Sequence, residues 1–206
     1  MFVAVGGSGL QTSTDGVAWT DRTPAGFDFS ASGVAYGGGR FVVVTNSGNS
    51  YRSTDGIVWL PGGSVAGSGF QSVAHGIVSG SSVFVAVGSG GVIATSADGA
   101  SWATATSGTT STLFGVHFAA GKFVAVGNNS AVLTSANGST GWAASTLGTS
   151  GVPLTDVAFG DGYWVATSSN GGRNLYTSTD AITWAQTPLV THLLNQTTHT
   201  GIAFGN

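Results

Sequence analysis

The sequence contains no cysteine and no glutamate. Its 206 residues include only five basic and eight acidic side chains, and all eight acids are aspartates. The absence of cysteine excludes disulfide bonds and Cys-based metal sites. Five scattered basic residues and a net charge of -3 provide no cationic surface that could follow a phosphate backbone. Nucleic acid is therefore not an expected partner.

Long hydrophobic runs are also absent. The mean hydropathy is +0.27 and 41% of the residues are hydrophobic, yet the apolar residues come in pieces of about five. We therefore expect a soluble chain without membrane insertion. A composition this apolar does not fit disorder, despite 35 glycines. The Met1 end has no basic segment followed by an apolar one, so no signal peptide is predicted. The location is left open between a virion protein, a cytoplasmic protein and an excised fragment, with a virion or cell surface favoured.

The chain is built from an internal repeat of about forty residues. An aromatic-led apolar run recurs at intervals of 39 to 43 residues, beginning at Phe2, Phe41, Phe84, Phe123 and Tyr163. A second marker keeps the same phase and consists of five tryptophans: Trp19, Trp59, Trp102, Trp142 and Trp184. Each unit holds four short β-like runs separated by glycine turns, and no unit has helical periodicity. This pattern predicts an all-β, five-bladed β-propeller with four antiparallel strands per blade, forming a single domain over residues 1–206.

The order of strands predicts how the ring closes. The chain begins with the second strand of a blade, Phe2 to Val5, and ends with a first strand, Thr200 to Gly205. Residues 199–205 are therefore expected to complete the first blade by pairing with the N-terminal strand, which removes two exposed sheet edges. In the first strands, large side chains alternate with Gly or Ala, so the large face of one blade is expected to nest against the small face of the next. The five tryptophans are expected on the outermost strands.

A polar turn joins the third and fourth strands of every unit. It begins with Ser, places Asp or Asn two residues later and ends at the tryptophan; its acidic or amide residues are Asp15, Asp55, Asp98, Asn137 and Asp180. An Asp or Asn oxygen accepts backbone N–H bonds in such turns, and Gly supplies the positive φ. These segments resemble the Asp-box, or BNR, repeat of sialidases, sortilin-type receptors, photosystem II assembly factors and many phage and bacterial propellers. The resemblance implies a five-repeat member of that superfamily, in which the motif is a structural turn away from the active centre.

Catalytic residues are hard to find in this sequence. The resemblance to sialidases would imply an arginine cluster, a Tyr nucleophile and a Glu base, but there is no Glu. Four arginines fall at different repeat positions and do not predict a cluster that could bind a substrate carboxylate: Arg22, Arg40, Arg52 and Arg173.

Glycoside hydrolysis needs two carboxylates across one bond, and Asp28 with Asp156 is the one pair that we can place near the axis. His75 and His117 lie on adjacent first strands, where they could meet between two blades, but no spacing predicts a metal site or a cofactor.

Variable loops on a rigid scaffold are the usual location of binding sites. The connections between blades and the turns between second and third strands are expected on one side of the ring. We predict ligand contacts there from Asp28, Phe29, Asn46, Asn49, Asn128, Asn129, Asn170 and Arg173. Their chemistry suits hydroxyl-rich ligands or protein surfaces. The sequence therefore favours a non-catalytic binding or adhesion module, lectin-like or on a virion surface, that recognises glycan or protein. Two alternatives stay open: a glycan-processing enzyme and a purely structural component assembled into a larger particle.

Overall fold

The computed structural model describes residues 1–65, 67–169, 174–188 and 201–204. Apart from two single-turn 3-10 segments, Ser89–Gly91 and Asn128–Ser130, the regular elements in this part of the chain are β-strands. The strands are β1 (Phe2–Gly6), β2 (Gly9–Ser13), β3 (Thr20–Asp21), β4 (Ala31–Gly37), β5 (Arg40–Thr45), β6 (Asn49–Ser53), β7 (Leu60–Ser64), β8 (Phe70–Val78), β9 (Ser81–Gly88), β10 (Ile93–Ser96), β11 (Ala103–Ala105), β12 (Leu113–Ala119), β13 (Lys122–Gly127), β14 (Val132–Ser135), β15 (Ala143–Ala144), β16 (Leu154–Gly160), β17 (Tyr163–Ser168), β18 (Asn174–Ser178) and β19 (Ala185–Pro188).

The strands form five antiparallel sheets in chain order. The first sheet contains β1 to β3, and the second to fifth sheets contain β4 to β7, β8 to β11, β12 to β15 and β16 to β19. Every neighbouring pair of strands within a sheet is also consecutive in sequence, as tight glycine turns dictate. The prediction of an all-β chain with five antiparallel sheets is thus confirmed, and four of the sheets have the predicted four strands.

The hydrophobic core is divided into layers between successive sheets. Val42 and Val44 of β5 face the third sheet and pack with Phe70 and Phe84, whereas Val43 between them faces the first sheet and packs with Leu10. The same alternation gives one core between the third and fourth sheets and another between the fourth and fifth. Because both faces of the middle sheets are covered, their second strands read as continuous apolar runs. This accounts for the scarcity of charge.

The first strand of each of the second to fifth sheets is its inner strand, and the inner strands interlock by size. The ring of His75 in β8 lies against Gly37 in β4, and the ring of Phe118 in β12 lies against Gly76 in β8. A β-carbon at either glycine would overlap the ring. The expected nesting of large faces against small ones is present between the second, third and fourth sheets.

Residues 201–204 lie beside the fifth sheet but form no strand. The N–H of Ile202 donates to Asp156 Oδ2 at 3.0 Å, and the ring of Phe204 lies against Gly160. Their place relative to β16 thus matches that of β12 relative to β8. Among the described residues, however, no strand pairs with the free edge of β1, and residues 199, 200 and 205 lie outside them. The expected four-stranded first sheet is therefore not seen, and ring closure stays a prediction.

Candidate functional site

The polar turns between third and fourth strands share one hydrogen-bond pattern. In the first of them, Asp15 Oδ1 accepts the N–H groups of Val17 at 2.8 Å and Ala18 at 2.9 Å, together with the hydroxyl of Ser13. These bonds hold the pKa of Asp15 below its ordinary value. The other copies repeat the pattern at Asp55, Asp98, Asn137 and Asp180, and the N–H groups of Thr183 and Ile182 with the Ser178 hydroxyl lower the pKa of Asp180 to about 2. These carboxylates therefore cap their own turns.

The tryptophans lie in these turns and not on the outermost strands, which corrects the sequence-based prediction. The fourth strand of the second sheet begins at Leu60, one residue after Trp59, because the tight turn continues to the tryptophan. The indole N–H groups donate to turn carbonyls in four copies, as from Trp59 Nε1 to Gly56 O at 3.1 Å, while Trp102 Nε1 donates to Ser50 Oγ. Trp59 and Trp184 are buried, Trp102 and Trp142 are half-buried and Trp19 is exposed.

The connections between sheets and the turns between second and third strands lie on one side of the molecule. One backbone hydrogen bond recurs there in four sheets: the residue after the second strand donates to the incoming connection, as from Asn46 N to Ser30 O and from Asn128 N to Thr112 O, both at 2.9 Å. In the third and fifth sheets, the N–H groups of Ser89 and Ser169 donate to Gly69 O and Pro153 O in the same way. We call this side the loop face. The turns that contain the tryptophans lie at the opposite ends of the strands.

Asp28 is the centre of a hydrogen-bonded cluster on the loop face. Its Oδ1 accepts from the N–H and hydroxyl of Ser30, and its Oδ2 accepts from Thr45 Oγ1 at 2.9 Å and Asn49 Nδ2 at 3.0 Å. The Tyr51 hydroxyl accepts from the Asp28 N–H. Burial raises the pKa of Asp28, but the bonds from Ser30, Asn49 and Thr45 outweigh it and hold that pKa far below its ordinary value. Asp28 and Asn49 thus fasten the connection between the first and second sheets, and both carboxylate oxygens are already occupied.

The other predicted contacts are distributed around the loop face. Phe29 is 57% exposed and packs edge-on against Phe27, with ring centroids 5.9 Å apart. Asn46 accepts a hydrogen bond at 2.8 Å from Gln71 of the next sheet. Asn170 and Arg173 lie outside the described residues.

Asn129 lies at the edge of a groove between the third and fourth sheets. Its φ of 56° is in the left-handed region, which Asn tolerates better than most residues, and its side-chain amide donates to Ser111 Oγ at 3.1 Å. The groove has a volume of about 340 Å³ and runs past Ser107, Thr109, Asn129 and the half-buried ring of Trp142. Among the described residues, no charged side chain lines it. Ser107, Thr109 and Ser111 are absent from the candidates of the sequence analysis; the Ser/Thr-rich connection 103–112 is the signal that could have found them.

The residues considered for catalysis do not form a common centre. Asp156 Oδ1 accepts from the N–H of Val157 and its Oδ2 from that of Ile202, so it shares no hydrogen-bond partner with Asp28 in the part of the chain that the structure describes. His75 lies against Gly37 and bonds to Ser82 Oγ at 2.7 Å.

His75 and His117 do not meet between two blades, although their places on adjacent strands allowed it. His75 faces the preceding sheet, whereas His117 faces the following one and packs edge-on against Trp164 at 6.0 Å. Burial lowers the pKa of both imidazoles, although the Asp156 charge opposes this at His117. Within the described ranges, no three His or Asp residues are placed to hold a metal ion. No helix in the same part of the chain is long and apolar enough to cross a membrane.

Comparison with known proteins places the chain in the β-propeller fold class. No protein-family model matches it, and no curated protein matches it either. A solved structure of streptogramin B lyase aligns with a TM-score of 0.80 and 12% identity over 95% of this chain and 66% of that one. YCF48 bound to a D1 peptide aligns with a TM-score of 0.66 and 19% identity over 89% of this chain and 62% of that one. The GH74 enzyme of Niastella koreensis aligns with a TM-score of 0.57 and 20% identity over 90% of this chain and 30% of that one.

These likenesses establish the fold alone. The chain spans less than two thirds of the length of each of the three structures, and the three include two enzymes and a peptide complex. Both binding and glycan processing are therefore compatible with the fold. These comparisons do not confirm the Asp-box resemblance, which stays a resemblance of sequence.

Proposed function

We propose that this chain is a non-catalytic binding module that takes a neutral, hydroxyl-rich ligand such as a glycan in the groove between its third and fourth sheets. The observation that carries the proposal is the lining of this groove. It combines the side-chain amide of Asn129, the hydroxyls of Ser107 and Ser111, and the half-buried Trp142. Sugar rings stack on aromatic faces while amides and hydroxyls orient them, and an uncharged lining suits an uncharged ligand.

The scaffold that supports the groove is rigid. Trp142 packs on the core between the third and fourth sheets and donates from Nε1 to Gly138 O at 2.8 Å. Ser130, next to Asn129, accepts the Val152 N–H on its hydroxyl and donates its own N–H to Val152 O. Asn129 is therefore held at a fixed place on the loop face, as a binding group needs to be.

The separation of the carboxylates among the described residues supports binding over hydrolysis. Asp28 has both oxygens occupied by its own loop, and Asp156 is bonded to backbone N–H groups on an inner strand. A peptide ligand is the second candidate, because the YCF48 relative in fold is bound to a peptide.

The experiment is a glycan array followed by titration and a hydrolysis assay on the best-bound glycan. Asn129→Gly keeps the left-handed backbone but removes the amide, and we expect an affinity about tenfold lower. Asn46→Gly removes an equivalent amide elsewhere on the loop face and is expected to leave the affinity unchanged. Saturable binding without turnover supports the proposal. Turnover of the glycan would overturn it in favour of an enzyme, and binding to no glycan in the array would overturn it in favour of a peptide ligand or a particle component.

We also propose that the scaffold is a closed five-bladed ring in which residues 199–205 supply the inner strand of the first sheet. The contact of Phe204 with Gly160 supports this, because it repeats the ring-on-glycine contacts between other neighbouring inner strands, and the bond from Ile202 N–H to Asp156 holds the same segment beside the fifth sheet. The exposed ring of Tyr36 supports it too. Tyr36 occupies the repeat position of His75 and Phe118, and its counterpart glycine would be Gly205, outside the described residues.

A further inference from the structure

A cavity on the second sheet is lined by two arginines. It has a volume of about 140 Å³ and includes Arg40, Arg52, Ser53 and Asp55. Arg52 pairs with Val42 across β5 and β6, and Arg40 is two residues from Val42 on the same strand. Because alternate residues of a strand share a face, both guanidinium groups lie on the side that faces the third sheet. The two arginines fall at different positions of the repeat, but the pairing of β5 with β6 brings them together.

Arg52 breaks the repeat. The residue before the turn serine is threonine in the other four units, at Thr12, Thr95, Thr134 and Thr177. Two of these threonines bond across to the outer strand, Thr95 to Ala103 O and Thr177 to Thr187 Oγ1. The side chain of Arg52 makes no hydrogen bond or ion pair with any other described residue. Among the described residues, no side-chain hydrogen bond or ion pair therefore accounts for the arginine at this position.

Arg40 has a structural contact but retains free donors. Its Nη1 donates to Asp98 O in the third sheet at 3.4 Å, as Lys122 at the same repeat position donates from Nζ to Asp180 O at 2.9 Å. A guanidinium carries five N–H donors, so this bond leaves several for a ligand.

The cleft between the third and fourth sheets corresponds to the Arg40–Arg52 cavity but carries no charge among its described lining residues. Between the third and fourth sheets, Val83 and Thr95 occupy the positions of Arg40 and Arg52, and the cavity of about 370 Å³ has no charged lining residue in the described ranges. The same cleft therefore occurs beside the second sheet and beside the third, and of these two only the first is lined by arginines. This provides a control within one molecule.

The charges around the cavity select the ligand. Asp55 lines it, and Asp98 is close enough that the charge of Arg52, after the larger effect of the Ala100 N–H bond, lowers the pKa of Asp98. Two cations and two anions nearly balance, which disfavours a doubly charged phosphate. Asp55 and Asp98, however, each accept turn N–H groups on one oxygen, whereas the Arg52 guanidinium has no hydrogen-bond partner among the described residues.

We propose that the Arg40–Arg52 cavity binds a carboxylate group, because the planar fork of a guanidinium matches the two oxygens of that group. This site lies at the ends of the strands opposite the loop face and does not depend on the groove at Asn129.

Acetate is the probe, titrated at constant ionic strength against chloride while the side-chain N–H signals of ¹⁵N-labelled arginine are followed by NMR. We expect saturable shifts at Arg40 and Arg52, and an apparent acetate affinity about tenfold lower in Arg52→Thr, which restores the residue of the other repeats. Arg52→Lys keeps the charge but not the fork and is expected to bind acetate more weakly than the wild type. The double substitution Val83→Arg and Thr95→Arg is expected to create a second acetate site.

The outcomes separate the alternatives. Equal acetate responses in the wild type and Arg52→Thr, or shifts that do not saturate, would overturn the site. Tighter binding of inorganic phosphate than of acetate would overturn the carboxylate assignment. Circular dichroism of each variant shows whether it is folded. If Arg52→Thr does not fold, Arg52→Lys tests the proposal.

Discussion

The ring of Phe118 in the fourth sheet lies against Gly76 in the third and leaves no space there for a side chain. The pair shows how inner strands determine the distance between neighbouring sheets. A methyl group at residue 76 would have to push the ring, and with it β12, away from β8.

Gly76→Ala is therefore expected to lower the free energy of unfolding by about 1–3 kcal/mol, the usual cost of overpacking. Urea denaturation followed by tryptophan fluorescence measures it. Gly6→Ala is the control, because a β-carbon at Gly6 meets no atom within 4 Å and its φ is not positive. We expect a change within about 0.5 kcal/mol for the control. Equal effects at residues 6 and 76 would contradict the interlock.

The nesting of large faces against small ones could be predicted from the sequence. The direction in which individual side chains point could not, for a physical reason. The Gly or Ala that alternates with large residues in each inner strand indicates which faces are small, so face-to-face nesting follows from strand periodicity alone. The side to which each histidine turns does not follow, because it depends on which neighbouring sheet covers that face. His75 and His117 occupy opposite faces of two adjacent strands, and the faces turned out to point away from each other.

The residues of the candidate site were harder to predict from the sequence than the nesting of the inner strands. Asn129, Asp28 and Asn49 were all predicted because short polar loops on a rigid scaffold bind ligands, yet Asn129 bonds to Ser111, and Asp28 and Asn49 bond to each other. Loop composition does not distinguish a side chain that holds its own loop from one that is free. The convergence of Arg40 and Arg52 was missed because it requires the register of β5 on β6.

Deletion of residues 199–206 tests the closure of the ring. It removes the contacts at Asp156 and Gly160 and would leave β1 without an inner partner. Exposed strand edges pair with other chains, so we expect an oligomeric or insoluble product. Size-exclusion chromatography with light scattering measures the mass. A monomer as stable as the full chain would contradict closure.

The tryptophans are expected to differ in their contribution to stability although their motifs are alike. Trp59 is 5% exposed and packs in the core between the first and second sheets, whereas Trp19 is 42% exposed. The other four tryptophans each pack in a core shared with the preceding sheet, and in the proposed closed ring the sheet before Trp19 would be the fifth. Trp59→Ala is expected to cost about 3–5 kcal/mol and Trp19→Ala less than about 2 kcal/mol, measured by urea denaturation. Equal costs would show that Trp19 is covered in solution as fully as Trp59.

Asp28→Asn tests whether the carboxylate cluster on the loop face stabilises the fold. The amide nitrogen of the variant would face the donors of Thr45 or Asn49 in place of an acceptor oxygen, so the variant is expected to be less stable than the wild type at pH 7. The pKa of Asp28 is depressed in the folded state, below the ordinary value of about 3.9 for an unfolded chain. Its contribution is therefore complete above that ordinary value and is lost as the pH falls through the folded-state pKa.

The difference in free energy of unfolding between wild type and Asp28→Asn is accordingly expected to be constant from pH 7 to about pH 5 and to shrink below about pH 4. The other aspartates titrate in both proteins, so taking the difference removes their contribution. Urea denaturation at a series of pH values measures it, with Asp161→Asn as a control because Asp161 is an exposed residue of the turn between β16 and β17. If Asp28→Asn were as stable as the wild type at pH 7, the carboxylate would not be fastening the loop, and Asp28 would again be a candidate for contact with a ligand.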